Sequence, residues 1–124
     1  MRVVIADDSY LWRDRIKSML NDINEVFVVG EVGNGVDALQ LIREKEPDLA
    51  ILDIRMPEIN GMEVLKKIKE LKMKTKVCML TNYTYPQYRK KCLEAGADYF
   101  LSKPEDFEKI AVVVENILRN DDNK

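Results

Sequence analysis

The chain alternates short apolar runs with longer segments in which apolar residues recur every three or four positions. The short runs have the length of β-strands and lie at residues 3–6, 26–29, 49–52, 77–80 and 99–101. The third and fourth runs are apolar at every position, which is typical of strands covered on both faces of a parallel sheet. The pattern therefore predicts five strands separated by helices.

Each run is followed by a segment with helical periodicity. The apolar faces include Trp12, Ile16 and Leu20 in the first segment, Val36, Leu39 and Ile42 in the second, Leu65, Ile68 and Leu71 in the third, Tyr88, Cys92 and Ala95 in the fourth, and Ile110, Val114 and Ile117 in the last. Ser9 is the predicted N-cap of the first helix, and Pro47 must end the second. The fourth helix, which begins near Pro86, has the thinnest apolar face.

Strict alternation of strand and helix predicts right-handed crossovers between parallel strands. The expected fold is α/β: a doubly wound (βα)5 sandwich around a five-stranded parallel sheet in the order 2-1-3-4-5, which is flavodoxin-like.

Length and composition favour a single domain. The chain has 124 residues, of which 46% are hydrophobic and 34% are charged, which is enough for one buried core. We expect a domain at residues 1–119 and a polar tail at residues 120–124. The net charge of -2 predicts no general attraction to nucleic acid or to a membrane surface. Without a membrane-spanning apolar segment or a secretory signal, a cytoplasmic location is expected.

Histidine is absent from the chain. Its absence excludes a serine-histidine or cysteine-histidine catalytic pair and any zinc site built on imidazole. The two cysteines, Cys78 and Cys92, lie among apolar residues and outside any CxxC motif, which predicts buried free thiols. Carboxylates, lysines and hydroxyls remain as the reactive groups.

Acidic residues come directly after two of the predicted strands. Asp7 and Asp8 follow the first strand, and Asp53 follows the third. In a sheet of this order, these two strand ends are neighbours at the crevice where ligands bind. Three close carboxylates raise one another's pKa and destabilise the fold unless a cation lies among them. Oxygen ligands alone favour Mg²⁺ or Mn²⁺ over zinc.

Each of these residues has an ordinary structural explanation when it is taken alone. A single acid before a helix is more often a cap or a partner of the helix dipole, and a threonine or lysine at a strand end is common. Together with a metal, the Thr81 hydroxyl and the Lys103 ammonium would form an anion site, suited to a phosphoryl group carried on Asp53.

This set of residues, Asp7-Asp8, Asp53, Thr81 and Lys103-Pro104, resembles the receiver (CheY-like) domain of two-component response regulators. The segment ILDIRMPEINGMEVL resembles the family's phosphoacceptor segment, and CLEAGADYFLSKP resembles the segment that leads to its lysine. The resemblance covers essentially the whole chain. It implies a signalling switch, a phosphoprotein that assists only its own phosphorylation and dephosphorylation and is otherwise not an enzyme.

The resemblance implies roles for individual residues. Asp53 would accept the phosphoryl group, Lys103 would pair with Asp53 and then with a phosphoryl oxygen, and Thr81 would turn its hydroxyl towards the phosphoryl group. Mg²⁺ or Mn²⁺ would be held by Asp7, Asp8, Asp53 and the backbone carbonyl of Arg55.

Two further features concern the switch itself. Phe100 takes the family's aromatic switch position, where it could swing inward beside Thr81. The Lys103–Pro104 peptide bond would be cis by the resemblance, whereas base rates for bonds before proline favour trans.

Partners also follow from the resemblance. The donor would be a sensor histidine kinase or a phosphotransfer protein, and output would come from the surface made by the fourth helix, the fifth strand and the last helix. Tyr85, Tyr88 and Tyr99 would either give exposed aromatic contacts there or pack in the core or at an edge. The target would be another protein or the DNA-binding domain of a longer regulator, since the chain itself is expected to bind neither nucleic acid nor a membrane. A dimer that forms on phosphorylation also agrees with the resemblance.

Two other functions stay open from sequence. A receiver-shaped interaction module that is never phosphorylated would carry the same residues. A phosphatase with an aspartyl nucleophile needs a second acid two residues later, where this chain has Arg55, so that function is disfavoured. We also hypothesise that Arg55 and Tyr83 shield the phosphoryl group from water and lengthen the life of the phosphorylated state.

Overall fold

A computed structural model describes residues 1–122 of the chain. Its five strands are β1 Arg2–Ala6, β2 Phe27–Val32, β3 Leu49–Leu52, β4 Lys76–Thr81 and β5 Tyr99–Ser102. All neighbouring strands are parallel, and their order is β2-β1-β3-β4-β5. This confirms the predicted doubly wound, flavodoxin-like sheet.

Helices connect the strands as the periodicity predicts. They are α1 Tyr10–Asn21, α2 Gly35–Lys45, α3 Gly61–Glu70, α4 Pro86–Glu94, the short α5 Lys103–Asp106 and α6 Lys109–Asp122. The last predicted helix is thus divided into α5 and α6. Because α6 continues to Asp122, the expected boundary after residue 119 lies inside this helix. Asn123 and Lys124, the end of the expected polar tail, lie outside the described residues.

Polar caps and breakers define the helix ends. The Ser9 hydroxyl accepts a hydrogen bond from the Trp12 N–H at 3.4 Å, so the predicted N-cap of α1 is confirmed. Asn34 and Asn60 cap α2 and α3 in the same way. The second helix ends at Lys45, just before Pro47, which cannot continue a helix.

The strand β2 differs most from its predicted range, residues 26–29. It begins at Phe27 and continues through Gly30 and Glu31. Gly30 allows α2 to approach the strand closely, because a Cβ atom there would lie 2.6 Å from the Leu41 side chain. As an edge strand with one neighbour, β2 needs no unbroken apolar run, so its sequence pattern is weak.

The core lies on both faces of the sheet. On one face, α2, α3 and α4 cover Val4 and Ala6 of β1, whereas α1 and α6 cover Val3 and Ile5 on the other. The completely buried β3 shows why its residues are apolar at every position. The buried thiols of Cys78 and Cys92 are free, as predicted. Among the described helices, none is long and apolar enough to cross a membrane.

Candidate functional site

Neighbouring strand ends bring the three acids together. Ala6 at the end of β1 pairs with Leu52 at the end of β3, so Asp7 and Asp53 follow at the same edge of the sheet. The ligand oxygens of Asp7, Asp8 and Asp53 all lie within 4.8 Å of one another. Asp7 and Asp53 are buried, whereas Asp8 is exposed and opens the cluster to solvent.

Lys103 reaches this cluster from two strands away. It follows β5, and its Nζ lies 2.8 Å from Oδ2 of Asp53 and 2.6 Å from Oδ2 of Asp7. Only 3% of Lys103 is exposed, so the ammonium is almost completely removed from water. We call Asp7, Asp8, Asp53 and Lys103 the acidic pocket.

One ammonium is shared by two buried carboxylates, and the pKa values reflect this. Burial raises the pKa of Asp7, and this effect outweighs the opposite influence of the Lys103 and Ser9 hydrogen bonds. Burial alone would lower the pKa of Lys103, but the hydrogen bonds and negative charges of Asp53 and Asp7 together raise it. Lys103 is therefore firmly protonated, while the pocket keeps an excess of negative charge.

Backbone N–H groups orient the two buried carboxylates. Oδ1 of Asp7 accepts a hydrogen bond from the Ser9 N–H at 2.8 Å. Oδ1 of Asp53 accepts one from the Ile54 N–H at 2.7 Å. Each carboxylate thus holds Lys103 with one oxygen and the chain with the other, which fixes its orientation.

The loop after Asp53 folds back on itself tightly at Gly61. The Gly61 N–H donates to the Ile54 carbonyl at 2.7 Å, and a Cβ atom at Gly61 would lie 1.9 Å from the Asp53 carbonyl oxygen. Only glycine fits this close approach of two backbone segments. The Asn60-Gly61 pair therefore both caps α3 and completes the loop that carries Asp53.

Thr81 and Phe100 lie on the α4 side of the pocket. Thr81 is completely buried at the end of β4, where its Oγ1 accepts a hydrogen bond from the Tyr83 N–H at 3.0 Å. Phe100 is 7% exposed and packs with Cys92 of α4 in the core. The Arg89 guanidinium of α4 lies 5.7 Å from the centre of the Phe100 ring. Phe100 is therefore buried on the α4 side of the sheet.

Arg55 and Tyr83 meet near the mouth of the pocket. The guanidinium carbon of exposed Arg55 lies 4.3 Å from the centre of the Tyr83 ring, a close cation–π contact. The position two residues after Asp53 thus holds a cation stacked on an aromatic ring, where a phosphatase of the aspartyl type would need an acid.

Comparison with known proteins decides the family. The sequence matches the profile of the response regulator receiver domain over residues 3–115. This chain is a response regulator receiver domain.

Relatives and solved structures agree with this assignment. A Pseudomonas aeruginosa protein named as a transcriptional regulator is 41% identical to this receiver domain over 94% of the chain and 56% of its own length. The signal receiver domain of NarL from Mycobacterium tuberculosis is 33% identical, with a TM-score of 0.87 over 94% of both chains. A chain of the CheX-CheY-BeF3-Mg+2 complex from Borrelia burgdorferi is 26% identical, with a TM-score of 0.87 over 95% of this chain and 89% of that one.

This receiver domain spans only part of its curated relatives, between 33% and 56% of the length of those compared. As members of this family, receiver domains are signalling switches of two-component systems.

Sequence patterns did not reveal two contacts of Lys103 in this receiver domain. The sequence predicted its pairing with Asp53 but not with Asp7, because the reach of a lysine across strand ends is invisible in a linear pattern. The second contact is with the Trp12 ring, whose centre lies 5.1 Å from Nζ of Lys103. It was not expected, because Trp12 fitted the apolar face of α1. The sequence feature that could have placed Trp12 near the acidic pocket is its position in the first turn of the helix that follows Asp7 and Asp8. The Lys103–Pro104 bond is trans, as base rates favoured.

Proposed function

We propose that Asp53 of this receiver domain accepts a phosphoryl group from the phosphohistidine of a sensor histidine kinase or phosphotransfer protein, in a reaction that depends on Mg²⁺. The phosphorylated chain then acts as a switch. Its output surface comprises α4, β5 and α6.

The observation that carries this proposal is the arrangement around the Asp53 carboxylate. It lies at the open edge of the sheet, 2.8 Å from a buried ammonium and beside two further acids. These contacts fix the orientation of the Asp53 carboxylate. They also place a positive charge next to an oxygen that could carry a phosphoryl group.

The acidic pocket suits a divalent cation by charge and by distance. Three carboxylates and one ammonium leave an excess of two negative charges. The carboxylate oxygens lie within 4.8 Å of one another, so one divalent cation could contact more than one of them. Asp8 and Asp53 would hold the ion directly together with the Arg55 carbonyl, and Asp7 would hold its bound water. When bound, Mg²⁺ or Mn²⁺ would supply neutralisation of phosphate charge.

Lys103 and Thr81 would assist the transfer itself. An oxygen of the Asp53 carboxylate forms a bond to phosphorus while the phosphorus–nitrogen bond of the donor breaks, and its electron pair returns to the imidazole. The Lys103 ammonium moves from Asp53 to a phosphoryl oxygen, and the Thr81 hydroxyl leaves the Tyr83 N–H to donate to another. Hydrolysis by water later returns the carboxylate and releases inorganic phosphate.

The Thr81 movement provides a route from the pocket to the output surface. Because its hydroxyl holds the Tyr83 N–H at the start of the loop before α4, turning it away frees that loop. Phe100 lies in the same region, against Cys92 and Arg89 of α4. Tyr85 is 60% exposed and lies 6.0 Å from Tyr88, which would give the surface an aromatic contact for a partner.

Partners follow from the same relatives. Several are named as transcriptional regulators and are longer than this chain, so we propose that the output surface meets either a DNA-binding domain of the same regulator or a separate target protein. Phosphorylation-dependent dimerisation through this surface is part of the proposal, as is a cytoplasmic site of action. The Borrelia burgdorferi complex was solved with BeF3 and Mg²⁺, which supports a metal and a phosphoryl-like group at the corresponding pocket here.

The decisive experiment is intact mass spectrometry after incubation with acetyl phosphate and Mg²⁺. We expect the addition of one phosphoryl group, which disappears in an Asp53→Asn variant and in the presence of EDTA. The matched control is Asp37→Asn, an exposed N-terminal acid of α2 outside the pocket, which should be modified normally.

Failure of the folded wild type to gain mass from acetyl phosphate or from a histidine kinase would reject the proposal. The remaining function would then be an interaction module that is not phosphorylated.

A further inference from the structure

The Lys103 ammonium is enclosed on a third side by an aromatic ring. Two of its contacts are Oδ2 of Asp7 and Oδ2 of Asp53. The centre of the Trp12 ring lies 5.1 Å from Nζ, within the range of a cation–π contact. With 3% of Lys103 exposed, this ring replaces water as the third neighbour of the charge.

The backbone of Trp12 belongs to the same turn that orients Asp7. The backbone N–H of Trp12 donates to the Ser9 hydroxyl at 3.4 Å, and the backbone N–H of Ser9 donates to Oδ1 of Asp7 at 2.8 Å. Ser9 thus links the Asp7 carboxylate to the backbone of Trp12. Asp7 and Trp12 thus come from one turn at the start of α1, whereas Asp53, the third group around the ammonium, follows β3.

Other side chains hold the ring from outside. The Phe107 ring, which follows α5, lies 5.7 Å from the Trp12 ring at a tilt of 58°. The Arg15 guanidinium lies 4.5 Å from Trp12 and 4.8 Å from Phe107. Since Lys103 begins α5, Trp12 connects both ends of the segment that carries the lysine to α1.

An indole face has a property that a carboxylate or water lacks in this position. It attracts the ammonium without accepting a directional hydrogen bond that would have to break when the lysine moves. The lysine can therefore turn from the Asp53 carboxylate to a phosphoryl oxygen while its third side stays covered. A water molecule there would form a hydrogen bond of its own and would weaken the charge interaction in the pocket.

We propose that Trp12 is a positioning residue, which holds the Lys103 ammonium against Asp53 and keeps it covered during phosphoryl transfer. This inference rests on the proposed phosphorylation of Asp53. Trp12 acts only through Lys103 and touches neither the carboxylate nor the phosphoryl group.

The test compares Trp12→Leu, which removes the aromatic face, with Trp12→Phe, which keeps one. The matched control is Tyr10→Leu, the same kind of change in the same helix, at a ring that is 63% exposed and lies near Arg13. The maximal rate of phosphorylation by acetyl phosphate with Mg²⁺ is measured by intact mass. Trp12→Leu should lower it roughly threefold to thirtyfold, whereas Trp12→Phe should keep most of the rate and Tyr10→Leu all of it.

A second measurement needs no phosphorylation and no metal. In the NMR spectrum of the metal-free protein, the ring should shift the Lys103 side-chain protons upfield, an effect that Trp12→Leu removes and Trp12→Phe reduces. Urea unfolding of each variant identifies a rate change that comes only from lost stability. A Phe variant as slow as the Leu variant at equal stability would contradict the cation–π role.

The two proposals fail in different ways. If wild type is phosphorylated and Trp12→Leu is equally fast, the role of Trp12 is wrong and the proposed function stands. If wild type is never phosphorylated, the proposed function and the positioning role are both wrong.

Discussion

The two sides of Asp53 are built in opposite ways. On the α1 side, the buried Asp7 and Lys103 are held by hydrogen bonds and ion pairs at 2.6–2.8 Å. On the other side, α4 buries only Cys92 in the core, and its N-cap Tyr85 provides no side-chain hydrogen bond. One side is therefore set before any ligand arrives, whereas the other is held weakly enough to respond.

The same contrast holds between α3 and α4, which pack on the same face of the sheet. In α3, Gly61, Val64, Leu65 and Ile68 are buried, and the Asn60 side chain caps the first turn. In α4, most side chains are charged or polar and exposed. A helix gains most of its stability in a protein from packing of its apolar face, so α4 is the helix best suited to shift between two positions.

The largest expected effect comes from removing the Lys103 ammonium, which holds Asp7 and Asp53 on the α1 side. We expect Lys103→Met to lower the free energy of unfolding by about 3 kcal/mol in EDTA, because it leaves two buried carboxylates without their partner. Urea denaturation measures the effect. Lys109→Met is the control, since Lys109 is exposed in its ion pair with Asp106 and should matter little. Equal stability of wild type and Lys103→Met would show that the pocket is not held by this charge.

Hydrogen exchange compares the two helices directly. We expect the backbone amides of α4 to exchange at least about tenfold faster than those of α3, which corresponds to ~1.4 kcal/mol in local opening. Mass spectrometry of peptides from residues 61–70 and 86–94 measures both segments in one sample. Equal protection of the two helices would remove the basis for placing the switch at α4.

Because the acidic pocket has an excess of negative charge, removing one of its carboxylates should stabilise the fold, whereas removing the Lys103 ammonium destabilises it. Asp7→Asn should raise the free energy of unfolding by about 1 kcal/mol at neutral pH in EDTA, because it removes a buried carboxylate that must share Lys103. Because burial raises the pKa of Asp7 above its ordinary value of 3.8, folded Asp7 holds its proton more tightly than unfolded Asp7.

The pH dependence of the stability of Asp7→Asn follows from the raised pKa of Asp7. The contribution of Asp7 to stability is full below pH 3.8 and is lost as the pH rises through its higher folded value. The advantage of Asp7→Asn should therefore be absent in acid and complete at neutral pH. Asp8→Asn removes an exposed carboxylate of the same pocket and should have a smaller effect. An advantage that did not grow with pH would contradict this account.

The smallest effect concerns Arg55 and Tyr83 at the mouth of the pocket. If they shield the phosphoryl group together, Tyr83→Ala and Arg55→Ala should each speed dephosphorylation roughly twofold to fivefold. The double variant should be no faster than either single variant, because each change already removes the pair. Loss of the phosphorylated mass over time measures the rates, with exposed Tyr85→Ala as control. An unchanged rate in Tyr83→Ala would reject its shielding role.

Local patterns were sufficient for most of the architecture. The unbroken apolar run of β3 requires a strand covered on both faces, and the structure has it at the predicted residues. The caps Ser9, Asn34 and Asn60 act within three residues of themselves, so their effect is visible in sequence. The thin apolar face of α4 likewise predicted its weak packing. The range of β2 was wrong because an edge strand with Gly30 and Glu31 lacks such a run.

Sequence patterns were enough to predict the strand order, the acids at neighbouring strand ends and the motifs of a receiver domain, because each depends on short-range periodicity or on a rule for parallel sheets. Three contacts depend on the folded chain: Lys103 pairs with Asp7 as well as with Asp53, Trp12 covers the Lys103 ammonium, and Phe100 is buried on the α4 side. These contacts join residues up to 96 positions apart, counted from Asp7 to Lys103. They depend on side-chain reach and on ångström-scale distances between strand ends, which no local pattern encodes.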